Sequence, residues 1–327
     1  MPRLLCFQMS RIARLAAFVG MVTVAATSFH IAKVRAADII SIAGTTSGAT
    51  LHTLAVATAD LFTKELPELT AVPETGGSVS NMRLLQQDAI DMSVAGMPVP
   101  TFAALGVGPF EGPVEIKLGW IHGITTIHLI ANDDSGIETI ADLKGKRLAY
   151  GAAGSGVAAI FDPILRAHGL DPATDIQKAY LGPGEAIEAL QNGQIEAAFA
   201  FSGVPGGRIQ AAAAQNGIKF VRMNVEKTLE TATSENVHLV ATTIPNGTYE
   251  GVDEDVETVG VAIVTVINRN MDPALVQKMA ALIEQNVDRL VQATPAAEGT
   301  RIATEKDAAE MRIPLHPGIA AYWEAKK

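Results

Sequence analysis

"LAYGAAGSGVAAIF", residues 148–161, is an apolar run, then three glycines and a serine within six residues, then a second apolar run at helical spacing. A strand that ends in a glycine turn and opens into a helix presents unpartnered N–H groups at the positive end of a helix dipole. That geometry suits an anion. The same unit recurs along the chain. "GTTSGAT" (44–50), "TGGSVSN" (75–81) and "FSGVPGG" (201–207) each follow a β-branched or apolar run and precede a helix-period segment. Strand, glycine turn and helix in repetition predict an α/β fold with a mainly parallel sheet, in which such turns line the crevice at the strands' carboxyl ends.

Working outward, 39–44, 90–96, 148–151 and 259–269 read as strands, and 50–66 reads as a helix with Leu51, Leu54, Leu61 and Phe62 on one face. A further helix begins at Asp272 and Pro273, a capping residue followed by proline at the first helical position. The stretch 226–257 reads as irregular and polar. At 327 residues with 48% hydrophobic content, the chain is long enough for two cores. Arg3, Arg11 and Arg14 precede a 14-residue apolar run at 15–28, followed by small residues up to Ala36. This is the pattern of a signal peptide over 1–36, cleaved after Ala36, and it predicts a periplasmic location. The run is well short of the roughly 20 residues a spanning helix needs.

The single cysteine, Cys6, falls inside that leader. The mature chain therefore has no disulfide framework, thiolate metal site or cysteine nucleophile. The leader carries five basic residues and no acidic ones, so its removal takes the net charge from −10 to about −15. An acidic exported protein is a poor partner for nucleic acid.

Several chemistries are excluded by pattern. None of the four turns has the lysine of a Walker loop, and the dinucleotide fingerprint G-x-G-x-x-G is absent. Ser78 in "GGSVS" and Ser155 in "AGSGV" do not match the nucleophile elbow. The histidines lack metal-ligand spacing, and no acid–base pair stands out, so neither an enzyme nor a cofactor is expected. His52 differs from the other histidines because it lies in the first turn of the helix after the first glycine turn. Arg83, Arg208 and Arg222 could each clamp a carboxylate, and Arg208, beside the fourth turn, is the best placed.

Four segments taken together, "TGGSVSNMRLL" (75–85), "DLKGKRLAYGAAGSG" (142–156), "GQIEAAFAFSGVP" (193–205) and "IPLHPGIAAYWE" (313–324), resemble the TAXI family. These are extracytoplasmic solute receptors of tripartite ATP-independent periplasmic (TRAP) transporters. The resemblance implies a two-lobed α/β fold of the type II periplasmic-binding class with the ligand cleft between the lobes. Lobe one would comprise 38–131 plus 257–327 and lobe two 132–256, with the second crossover somewhere in 223–257.

It also implies capture of a small organic acid or amino acid, such as glutamate or a dicarboxylate, and delivery by a monomeric receptor to ion-gradient-driven TRAP membrane permease subunits. The motif positions facing the cleft would be Ser47, Thr50, Ser78, Asn81, Gly154, Ser155, Gly156, Ser202 and Val204. His52 and Arg208 join them from the reading of the residues themselves.

Where family members show G-T-Y-Y, this chain has "GATLH", and Val157 replaces a common threonine. Both changes point to a smaller or less polar ligand than glutamate that still carries a carboxylate. A periplasmic sensor feeding a two-component system is the alternative reading. A deaminase with a cofactor on cysteine is opposed by the thiol-free mature chain.

Overall fold

The computed structural model describes residues 38–153 and 156–327. The expected signal peptide lies outside the described residues. The chain opens with β1 (Asp38–Ala43), α1 (Thr50–Glu65), β2 (Leu69–Glu74), α2 (Ser78–Gln86), β3 (Met92–Gly96), α3 (Val99–Leu105) and the long β4 (Ile116–Asn132). It continues with β5 (Arg147–Ala149), α4 (Val157–Ala167), β6 (Gln177–Ala179), α5 (Pro183–Gln191), β7 (Ala197–Ser202), α6 (Gly207–Asn216) and β8 (Ile218–Phe220). Then come α7 (Val225–Ser234), β9 (Val240–Ile244), β10 (Val256–Asn268), α8 (Pro273–Gln285), α9 (Val287–Ala293), β11 (Arg301–Ile302), α10 (Glu305–Met311) and α11 (Pro317–Glu324).

The sheet runs in the order β2-β1-β3-β10-β4-β7-β5-β6, with β11 and β8 on β4 and β9 on β10. Its flanks are parallel, as the strand–turn–helix pattern predicts: β1 pairs with β2 and β3, and β5 pairs with β6 and β7. Its centre is antiparallel, because β4 and β10 run against each other and against β3 and β7. These two strands change partners midway. The end of β10 pairs with β3 from Ile263 to Ile267, whereas its start pairs with β9 from Val256 to Gly260. In β4, Trp120 and Ile121 pair with β11, and Thr126 onward pairs with β7. Register shifts interrupt the β4–β10 ladder between Ala262 and Val264 and again between Thr265 and Val266.

Four apolar clusters fill the two faces of each half of this sheet. In the first half, Leu54, Phe62, Met279 and Ile283 of α1 and α8 cover one face around Trp120, and Met82 and Phe102 of α2 and α3 cover the other. In the second half, Phe161 and Ile164 of α4 cover one face, and Leu190 and Ile209 of α5 and α6 the other. This is a two-lobed α/β fold built on two shared strands.

The stretch read as irregular and polar is in fact partly regular. Within 226–257 the structure has α7 and β9. The buried residues of α7 are Thr228 and Ala232, small or polar side chains that leave a weak apolar stripe. β9 pairs with β10 alone and is mostly exposed, so it lacks the apolar alternation of an inner strand.

Candidate functional site

The four glycine turns follow β1, β2, β5 and β7, and each leads into a helix. Those helices, α1, α2, α4 and α6, start at Ala49, Gly77, Gly156 and Gly206, and none of these four residues caps its helix with its own side chain. By contrast, Asn224, Asp272, Thr304 and His316 cap α7, α8, α10 and α11. The first-turn N–H donors beyond the start residues are therefore free of a capping side chain, while the Gly77 and Gly206 N–H groups donate to the Ser80 and Tyr249 hydroxyls.

A chamber of about 120 Å³ lies where the two halves meet. Its floor is the shared strand pair: Thr125 of β4 and Val261 of β10 stand opposite each other in the ladder, and both line it. Thr45, Thr46 and Thr50 come from the first turn and α1, Ser78 from α2, and Gly151, Ala152 and Gly156 from the third turn. Phe199 and Phe201, two residues apart on β7, form one wall. Both stack on Phe161 of α4, with ring centroids 3.5 and 5.4 Å away, which fixes their orientation. Thr125 is 2% exposed, and its hydroxyl has no partner among the described residues.

A second, wider cavity of about 380 Å³ shares Ala49, Thr50, Pro183, Ala200 and Phe201 with the first and forms its mouth. It holds Ser202 and Arg208. Arg208 makes no ion pair among the described residues, whereas Arg83 donates to the Pro109 carbonyl and Arg222 pairs with Glu254.

At two points the halves touch across the cleft. A Cβ on Gly156 would lie 2.1 Å from Val99 Cγ2, and one on Gly48 would lie 2.5 Å from the Arg208 guanidinium. Gly156 is the glycine that the close approach of the third turn to α3 requires.

The structure thus brings Thr50, Ser78 and Gly156 to the chamber and Thr50, Ser202 and Arg208 to its mouth. The other expected site residues fall elsewhere. Ser47 is exposed and lines neither cavity. His52 lies behind Gly44, its Cα 2.5 Å from where a Cβ on that glycine would sit. Asn81 is fully buried, and its amide donates to the Gly44 carbonyl at 2.7 Å and to the Ser93 hydroxyl, so it ties the first turn to α2. Val204 packs into the α5–α6 core. Gly154 and Ser155 lie outside the described residues.

Sequence reasoning did not single out Thr125, Val261, Phe199 or Phe201. The only available signal was the pair of threonines in "GITTIH", which interrupts an otherwise apolar strand.

A buried relay braces the mouth. His128 Nδ1 lies 3.1 Å from the Thr126 carbonyl, so this nitrogen carries the proton. Nε2 then accepts from the Tyr249 hydroxyl at 2.7 Å, and the Tyr249 oxygen accepts from the Gly206 N–H at 2.7 Å, at the start of α6. Burial lowers the His128 pKa to about 4 and that of His122 to about 3, beside the Thr265 hydroxyl of β10. Both rings are neutral supports of the shared strands.

Two α/β lobes joined through shared strands, with a chamber across the joint, are the architecture of periplasmic-binding proteins. The chain belongs to the NMT1-like family, whose profile matches residues 42–326. A putative aliphatic sulfonates-binding protein of Escherichia coli (strain K12) is 31% identical over 124 residues, covering 36% of this chain and 34% of that protein. The chain thus matches about a third of the length of this curated relative.

Among solved structures, PhnD1 of Prochlorococcus marinus in complex with methylphosphonate aligns with a TM-score of 0.55 at 10% identity, over 88% of this chain and 98% of that one. A TctC solute binding protein from Polaromonas aligns at 0.50 and 16% identity, over 87% and 96%. These likenesses show the fold.

Proposed function

We propose that this protein is the extracytoplasmic receptor of a TAXI-type TRAP transporter, exported by a signal peptide over 1–36. It captures a small carboxylate-containing solute in the periplasm and passes it to an ion-gradient-driven membrane permease. The observation that carries this reading is the chamber at the joint, lined from both halves and adjoining a guanidinium that has no carboxylate partner among the described residues. The protein's lobes are proposed, from the sequence, as 38–131 with 257–327 and 132–256; the partner changes within β4 and β10 support crossovers in these two strands.

Loops from both lobes supply N–H and hydroxyl donors, so the closed form alone satisfies a ligand completely, and ligand shifts the population toward closure. A mature charge near −15 opposes an anion at long range. Capture therefore rests on local donors at the helix ends. Ser155, at the turn before α4, is proposed to add a hydroxyl to that grip. The second reading, an aliphatic sulfonate, is favoured by the partial match to the Escherichia coli protein.

The test is a thermal-shift screen of the mature protein, freed of copurified ligand by unfolding and refolding, against carboxylates and sulfonates. A ligand at 100 times its Kd adds about 2.7 kcal/mol of stability. A melting temperature unmoved by every carboxylate overturns the carboxylate reading.

A further inference from the structure

We infer that the ligand is a monoanion without an ammonium group: one oxyanion head held at Arg208 and an uncharged, apolar body lying in the inner chamber. The inference rests on the receptor reading above and concerns what that receptor accepts. It starts from a census of charge. Of the described residues that line the chamber and its mouth, Arg208 alone is ionisable. Gly154 and Ser155, which complete the third turn, carry no charge by identity.

The ammonium group of an α-amino acid is balanced best by a carboxylate, and among the described residues no acidic side chain lines either cavity. A cation left unpaired there is strongly disfavoured by desolvation. A dicarboxylate fares little better. Once one carboxylate occupies Arg208, the second enters a chamber whose described side chains offer it no cation, only the neutral hydroxyls of Thr45, Thr46, Thr50, Ser78 and Thr125 among apolar groups.

The shape of the site gives the orientation. Thr50 lines both cavities, so it lies where a head group at Arg208 passes into the chamber. Beyond it the Phe199 and Phe201 wall is held against Phe161, a rigid apolar surface suited to a ring or an alkyl chain. At the floor the Thr125 hydroxyl is buried and has no partner among the described residues, and it offers one neutral hydrogen bond to the far end of the body.

The experiment is calorimetric titration of refolded, ligand-free mature protein with hexanoate, benzoate, hexanesulfonate, hexanamide, L-glutamate and succinate. Hexanoate or benzoate is expected to bind, with hexanamide at least tenfold weaker and no measurable heat from glutamate or succinate. Arg208→Gln should weaken the monoanions at least tenfold, remove their advantage over the amide and leave the melting temperature of the ligand-free protein unchanged.

Glutamate or succinate binding as tightly as the apolar monoanions overturns this inference and leaves the carboxylate receptor standing. Binding of hexanesulfonate alone supports the apolar monoanion and overturns the carboxylate head. Silence from all six overturns both.

Discussion

Replacing Gly156 by alanine is expected to weaken ligand binding while leaving each lobe folded. The backbone there has φ −76° and ψ 8°, which alanine adopts without strain. The added methyl would meet Val99 Cγ2 at 2.1 Å, where carbon atoms in contact sit about 3.5–4.0 Å apart. Val99 is 1% exposed and β-branched, so it has little freedom to move aside. The clash joins the third turn to α3 across the cleft and exists only when the cleft is shut.

An overpacking penalty of about 1–3 kcal/mol therefore falls on the closed form alone. That corresponds to a Kd raised about 5- to 150-fold. Calorimetry gives the Kd, and denaturant unfolding of the ligand-free protein gives the stability of the lobes. Val99→Ala added to Gly156→Ala removes the obstructing methyls and should restore much of the affinity. A Kd within about twofold of the parent, an equal loss of stability without ligand, or no recovery in the double variant refutes the reasoning.

Thr125→Val removes a buried hydroxyl that has no partner among the described residues. The ligand-free protein should therefore hold or gain up to about 1 kcal/mol in urea titrations, while calorimetric affinity falls for 4-hydroxybenzoate and not for benzoate. Tyr249→Phe leaves the Gly206 N–H and His128 Nε2 without partners, an expected cost of about 1–3 kcal/mol measured by denaturant midpoint. The same variant should loosen the start of α6 and so weaken anion binding through Arg208.

Acid should destabilise the fold through His122 and His128. Their folded pKa values, about 3 and about 4, lie below the ordinary 6.5, so the unfolded chain takes up the extra protons. Stability is complete above pH 6.5 and declines as the pH falls toward 4. The decline is up to about 1.4 kcal/mol per pH unit for each ring. A His128→Gln variant should flatten part of the pH profile, and an unchanged slope would remove that ring from the account.

The flanks of the sheet were legible because their signal is local. "IISIAG" and "LAYG" carry strand composition, and the glycine turns that follow them mark the places where the chain reverses into α1 and α4. Asp272 and Pro273 announced α8 at its first residue. β9 escaped because an edge strand with one neighbour needs no apolar alternation, and α7 escaped because it is held by Thr228 and Ala232. Of the site, Thr50, Ser78, Gly156 and Arg208 were legible as members of turns or helix starts. Asn81 and His52 share those segments and face other parts of the turn, because consecutive helical residues point about 100° apart.

The sequence by itself determined that this is an α/β chain with four glycine turns at strand ends, no cysteine after Cys6 and a net negative charge. These are properties of composition and of neighbours within a few residues. Only the tertiary structure decided that β4 and β10 serve both lobes, that Thr125 stands opposite Val261 at the floor of the chamber, and that Phe161 holds Phe199 and Phe201 in its wall. Those pairings join residues that are 136 and about 40 positions apart in the chain. Their partners are chosen by strand register and core packing, which no local pattern encodes.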